Sequence, residues 1–296
     1  MSAEAPAPVL AAARPAWADY LELAKPRITL MVVMTTFVGY ALAQRGPLAL
    51  GLLAATLCGT ALVAAGSATM NMLLERRVDA LMLRTRNRPL PAGRLRGGDA
   101  LASGLLLTGA GLALLAFRAG PLAAAVALVT WLTYLFLYTP LKTRTSLATV
   151  VGALPGALPP VIGWAAAAGR LEPGAFVLFA IMFLWQIPHF LAIAWIYRED
   201  YARGGLPMLP VLDPEGRMTG RQAVANSLAL TLISLTPAVA GLAGRVYVVG
   251  AALLGLAFTG VAVYAAVLRT TMAARRLFLA SLLYLPALFG LLLASR

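Results

Sequence analysis

The sequence predicts an all-α, polytopic membrane protein, and three observations carry that prediction: composition, a succession of long apolar stretches, and the confinement of charge to the gaps between them. Of 296 residues, 61% are hydrophobic and 12% charged, with a mean hydropathy of +0.84, far from the usage of soluble domains. Apolar stretches of spanning length lie near 28–44, 48–73, 100–117, 120–138, 147–168, 174–198, 221–242, 244–267 and 276–294, giving nine candidate transmembrane helices. With the N-terminus inside, 19 of the 24 lysines and arginines fall in inner segments; the five outer ones are Arg45, Arg118, Arg170, Arg245 and Arg296. Basic residues are retained on the cytoplasmic side, so this split orients the chain with its N-terminus and its dense polar chemistry there. The formal charge of +13 would suggest nucleic acid in a soluble protein; here anionic headgroups and a phosphorylated substrate account for it, and no nucleic-acid partner is expected. The single cysteine, Cys58, allows no intrachain disulfide and reads as a small core residue.

Taken in order, residues 1–20 are expected to form a disordered lead-in to a transmembrane domain over 21–296. Met1 to Trp17 is proline-rich and lacks a basic region followed by an apolar core, so it reads as neither a secretory signal nor a transit peptide. Lys25 and Arg27 flank the first stretch, where a topology signal and a phosphate contact look alike. The second stretch runs into the densest polar segment of the chain, Asn71 to Pro91. If the helix persists to Asp79, then Asn71, Glu75 and Asp79 at i, i+4 and i+8 lie on one face, drifting by about 40° per step. Their oxygens are hard ligands suited to Mg²⁺, which commonly bridges such groups to substrate phosphates. Arg76, Arg77, Arg84, Arg86 and Arg88 can meet the phosphate oxygens beyond it.

The fourth stretch ends in Tyr138-Thr-Pro-Leu-Lys142-Thr-Arg144, a second basic cluster. Gly152, Pro155, Gly156, Pro159, Pro160 and Gly163 interrupt the fifth, which predicts either close helix packing or a cavity wall. The sixth carries the only histidine, His189, 11 residues before Asp200 and therefore about 16 Å along the axis on nearly the same face. A lone intramembrane histidine suits an axial ligand to haem iron or a proton carrier, with a bond to a neighbouring helix as the plainer alternative. Glu199 and Asp200 at the end of this stretch can oppose the Asn71–Asp79 ladder across a cavity, or simply mark a helix end.

Four segments in this order, Glu75-Arg-Arg-Val-Asp79 with its Arg84 to Pro91 continuation, Tyr138 to Thr145, Gly156-Ala-Leu-Pro-Pro160-Val-Ile-Gly163-Trp164, and Trp185-Gln-Ile-Pro-His189-Phe with Arg198-Glu-Asp200-Tyr, resemble the UbiA superfamily of intramembrane prenyltransferases, and within it the branch that acts on haem. The resemblance covers residues 20 to 295. It departs at Glu75, where much of the superfamily has Asp, and at Asp200, preceded only by Glu199 where the superfamily tends to have spaced aspartates. The resemblance implies a bundle of about nine helices around a central cavity in a bacterial inner membrane, with the active site towards the cytoplasm. It also implies transfer of the farnesyl group of farnesyl diphosphate to a vinyl group of haem b, with addition of water, giving haem O and diphosphate. Under it, Asn71, Glu75, Asp79 and Asp200 are the Mg²⁺ ligands, Arg84, Arg88, Lys142, Arg198 and Tyr138 contact the diphosphate substrate, and His189 binds or orients the haem or takes a proton. The implied partners are farnesyl diphosphate, haem b, the lipid bilayer and a haem A synthase, the last with no residue behind it. A prenyltransferase for an aromatic acid or quinone precursor would share the acids and arginines but not the motifs around Pro160 and His189. A transporter would distribute polar residues at mid-depth on several helices, which this sequence does not.

Overall fold

The computed structural model describes residues 16–295; among them no strand occurs, and nine helices are long and apolar enough to cross a membrane. A short helix, α1 (Ala16–Leu23), precedes them. The spans follow as α2 (Pro26–Ala43), α3 (Leu50–Asp79), α4 (Gly97–Ala119), α5 (Pro121–Leu141), α6 (Ala148–Ala168) and α7 (Pro173–Ile196). Two short helices, α8 (Arg198–Arg203) and α9 (Leu209–Leu212), lead to the last three spans, α10 (Arg217–Val239), α11 (Arg245–Leu268) and α12 (Thr271–Ala294). The predicted stretches match these within five residues at each end except at α3, whose helix continues six residues further, to Asp79. At 1.5 Å per residue its 30 residues reach about 45 Å, against a hydrocarbon layer of about 30 Å, so one helix carries both a span and a polar extension. Cys58 of α3, expected as a small core residue, is instead exposed on the apolar helix surface.

The expected disordered lead-in lies outside the described residues up to residue 15, and from Ala16 to Tyr20 the chain is helical instead. The physical reason is docking. Asp19 pairs with Arg94 Nε at 3.0 Å, and Leu23 is fully buried against Met72, Leu90 and Ala100. α1 thus seals the polar end of α3 to the loop that follows it.

The breakers in α6 resolve towards packing. α6 is interrupted at Leu158, just before Pro159 and Pro160, whose missing N–H groups cannot continue the ladder. A Cβ on Gly39 of α2 would run into the Pro160 carbonyl, and one on Gly163 would run into the Thr36 carbonyl, so α2 and α6 approach to backbone contact. Likewise, a Cβ on Gly152 would lie 2.6 Å from the Tyr138 ring, which lets that ring rest against α6. α7 is the common neighbour of α6, α10 and α12, and the largest buried cluster, including Trp164, Trp185, Tyr284 and Phe289, gathers around it.

Candidate active site

The uninterrupted α3 helix brings Asn71, Glu75 and Asp79 onto one face, and three other segments deliver a cation to each. Lys25 Nζ donates to Asn71 Oδ1 at 2.9 Å. Lys142 Nζ, at the end of α5, donates to both Glu75 oxygens at 3.1 Å. Arg88 Nη1, from the loop after α3, reaches Asp79 Oδ2 at 2.8 Å. The other Asp79 oxygen, Oδ1, is buried and has no hydrogen-bond partner. The amide of Asn71 is held from its far side, its Nδ2 donating to Thr139 Oγ1 at 3.1 Å.

Local structure explains how these groups converge. The last turns of α5 widen into a π-helical segment over Thr133–Tyr138, and the Thr139 hydroxyl donates to the Tyr134 carbonyl five residues back at 2.8 Å. That widening seats Thr139 against Asn71 and sets Tyr138 near Lys142, with the ring centroid 5.9 Å from Nζ. Lys25 stands at φ 47°, ψ 63° immediately before Pro26, a left-handed conformation that a non-glycine residue keeps only where its surroundings hold it. The loop after α3 folds back through turns at 82–88, and the Thr85 hydroxyl donates to the Asp79 carbonyl at 2.8 Å, closing the loop that returns Arg88 to Asp79.

Electrostatics agree with the crowding. Burial, together with the Arg88 and Lys142 charges nearby, pulls the Lys25 ammonium down to about 8. Burial also works to lower Lys142, but Tyr138 and Glu75 beside it push it above the ordinary lysine value, so it stays charged. Three cations thus share one small region with two carboxylates and one amide. Hard oxygen donors on one helix face, with one buried carboxylate oxygen left unpartnered, fit a divalent cation such as Mg²⁺.

Asp200 sits differently from its expectation as a metal ligand. Its side chain is buried, and its oxygens accept from the backbone of the loop after α3: Leu83 N to Oδ1 at 2.9 Å and Arg84 N to Oδ2 at 3.0 Å. Arg203 Nη2 adds a third bond at 2.6 Å. Burial alone would raise the Asp200 carboxyl, but Arg203 and the Arg84 and Leu83 amides hold it below the usual carboxylate range. Met82, packed with Ala194, Tyr201, Leu206 and Met208, anchors the same loop. The acid-rich ends of α3 and α7 therefore do meet, through a loop rather than by facing each other with free carboxylates. Glu199 is exposed.

Of the other predicted residues, Arg84 is exposed, with its guanidinium 4.9 Å from the Tyr197 ring centre, and Arg198 lies 4.8 Å over Trp195. His189 is buried within α7, stacked on Trp185 with ring centres 5.0 Å apart and tilted against Phe278 of α12 at 5.1 Å. Its Nδ1 bonds Ser281 Oγ at 2.7 Å, while Trp185 Nε1 donates to the Ser281 carbonyl at 2.8 Å. The plainer expectation for His189, a bond to a neighbouring helix, is thus met at one ring nitrogen. Sequence reasoning left Lys25 undecided and passed over Thr139, Thr85 and Ser281. Only Lys25 carried a signal, a lysine set against Pro26 at the mouth of a span.

Residues 32–293 match the UbiA prenyltransferase family. The protoheme IX farnesyltransferase of Solibacter usitatus is 50% identical over 287 residues, covering 94% of this chain and 98% of that protein. The protoheme IX farnesyltransferase of Opitutus terrae is 43% identical over 281 residues, covering 95% of each. Among solved structures, a UbiA homolog from Archaeoglobus fulgidus bound to GPP and Mg²⁺ superposes with a TM-score of 0.67 at 20% identity, over 93% of this chain and 99% of the other. A digeranylgeranylglyceryl phosphate synthase structure gives a TM-score of 0.79 at 15% identity, over 95% of this chain and 98% of the other. At these identities the solved structures speak to the fold.

Proposed function

The chain belongs to the UbiA prenyltransferase family, and from that premise we propose that it transfers the farnesyl group of farnesyl diphosphate to a vinyl group of haem b, with addition of water, giving haem O and diphosphate. In this reaction the allylic C–O bond breaks with its electron pair going to diphosphate. The vinyl π electrons form the new C–C bond, water adds at the carbon left cationic, and one proton departs.

The observation that carries the reading is the α3 ladder: Asn71, Glu75 and Asp79 on one face, one Asp79 oxygen unpartnered, and Lys25, Lys142 and Arg88 converging from three other segments. Asn71, Glu75 and Asp79 would hold Mg²⁺, as GPP and Mg²⁺ in the Archaeoglobus fulgidus homolog encourage, and the chemistry it would supply there is neutralisation of charge developing on the leaving diphosphate. Lys142, Arg88 and Arg84 orient the diphosphate oxygens, with Arg198 and Tyr138 completing the rim. Asp200 serves by holding the loop that carries Arg84 and Arg88, a positioning role in place of the metal ligation expected for it. The apolar helix faces deeper in the bundle shelter the allylic cation from water, and His189 orients the haem from α7. By the asymmetry of its basic residues we assign the N-terminus and this site to the cytoplasmic side of an inner membrane.

The test is release of diphosphate from farnesyl diphosphate by the purified chain, with Mg²⁺ present or chelated and with haem b or 4-hydroxybenzoate as acceptor. Mg²⁺-dependent release with haem b, coupled to haem O formation, is the expected result. Turnover with 4-hydroxybenzoate alone would move the acceptor to an aromatic acid, and release indifferent to chelation would remove the metal from the site.

A further inference from the structure

Asn71, Glu75 and Asp79 each have a basic side chain already upon them. Lys25 covers Asn71 Oδ1, Lys142 spans both oxygens of Glu75, and Arg88 covers Asp79 Oδ2, all between 2.8 and 3.1 Å. Only Asp79 Oδ1 is left open, and it is buried. The three cations come from three separate segments: the junction before α2, the end of α5 and the loop after α3. Their pattern is one cation to each ligating residue, not a general basic lining.

Charge counting gives this arrangement a consequence. Three cations against two carboxylates leave the cluster at net +1. A divalent cation arriving alone would raise it to +3 in a partly buried site, and every ligand oxygen except Asp79 Oδ1 would have to give up a charge-assisted hydrogen bond as well. A prenyl diphosphate brings about three negative charges at neutral pH, so ion and diphosphate together leave the cluster near neutral. The diphosphate oxygens also offer the displaced ammonium and guanidinium groups new partners.

We propose that Lys25, Lys142 and Arg88 stand in for the metal in the free enzyme, so that a divalent cation is shut out until the diphosphate draws these three side chains off Asn71, Glu75 and Asp79. This rests on the reading of those three residues as metal ligands. The free enzyme therefore binds the metal weakly, and metal and diphosphate bind as a coupled pair. The coupling is reciprocal: whatever factor the diphosphate adds to metal affinity, the metal adds to diphosphate affinity, and couplings of this kind commonly amount to about 5- to 150-fold. The strained left-handed backbone at Lys25 suits a side chain held on one partner and released to another.

The experiment uses the full chain in nanodiscs and Mn²⁺ as the probe, read by electron paramagnetic resonance, with and without a thio-substituted farnesyl diphosphate that does not turn over. Mn²⁺ bound by the analogue in solution is measured separately and subtracted. The expected result is at least about tenfold tighter Mn²⁺ binding with the analogue than without. Lys142→Met and, separately, Lys25→Met should bind Mn²⁺ alone more tightly than the unaltered chain while losing turnover. Circular dichroism and gel filtration check that both variants fold; Lys25→Met leaves neither carboxylate unpaired and is the safer of the two. Equal Mn²⁺ affinity with and without the analogue, or weaker Mn²⁺ binding in both methionine variants, overturns the stand-in role while leaving the metal site intact. Absence of protein-bound Mn²⁺ both with and without the analogue overturns the metal-site reading itself, and the stand-in role with it.

Discussion

Asp79 and Asp200 are both buried carboxylates at the ends of spans, and their surroundings make them opposites. Asp79 has one oxygen paired to Arg88 and the other without a partner. Asp200 has both oxygens filled, by two backbone amides and Arg203. A buried carboxylate oxygen left unpartnered costs free energy, and a fold tolerates it where a ligand completes it. A carboxylate that accepts amides from a distant loop instead commits its bonding capacity to shape. Acidity at a helix end therefore does not by itself separate a carboxylate that holds a loop from one with an oxygen left free for a ligand; the donors that reach it do.

The two carboxylates part most widely when Asp79 is removed. Asp79→Ala should lower Mg²⁺-dependent diphosphate release by at least about 100-fold, with the protein still folded and membrane-inserted by circular dichroism and gel filtration. Full activity in that variant would dissolve the distinction. Asp200→Ala should cost less, roughly 10- to 100-fold, through misplacement of Arg84 and Arg88. Its signature is faster proteolysis within residues 80–96 together with unchanged Mn²⁺ binding in the presence of the diphosphate analogue; lost Mn²⁺ binding would restore Asp200 to the metal. The Asp200 carboxyl lies below its ordinary value in the folded chain, so the restraint it supplies is present above about pH 4 and is lost as pH falls through the folded value. Protease resistance of the loop, followed downward in pH, reads this directly.

Smaller effects belong farther from the ladder. Ser281→Ala removes the hydroxyl at His189 Nδ1 and should raise the KM for haem by about tenfold without changing that for farnesyl diphosphate. His189→Ala should do so more strongly, and normal haem turnover in it would reduce the histidine to packing. Smallest of all, Asp19→Asn should loosen α1 by about 1 kcal/mol, seen as a modest drop in the thermal midpoint with turnover nearly intact.

The spans were legible because, in a chain of this composition, apolar runs of about 20 residues fit a bilayer and little else. The ladder was legible because four-residue spacing on a helix is geometry, conditional only on α3 continuing to Asp79, which it does. The hydrogen-bonded setting of Asp200 was not legible because the sequence shows which residues can accept hydrogen bonds but not which donors arrive, and two of its three donors are amides more than 100 positions away. Lys25 stayed undecided because a lysine beside a span satisfies the positive-inside bias and a binding site equally well. Only the left-handed turn that aims it at Asn71 separates the two, and that turn opposes the preference of a residue before proline. The glycines and prolines of α6 were ambiguous between packing and cavity until the Thr36 carbonyl was seen against Gly163 and the Pro160 carbonyl against Gly39 of α2.

That last contact also bears on how the protein is made. Gly39 and Gly163 interlock α2 and α6 through backbone alone, yet roughly 120 residues of chain separate them, about 6–25 s of synthesis at ordinary elongation rates. α2 enters the bilayer long before its tightest neighbour exists, and α3, α4 and α5 are inserted in the interval. Seating of α6 against α2 thus waits until three intervening spans have been made, and Gly39 on α2 with Gly163 on α6 acts as a latch that can close only then.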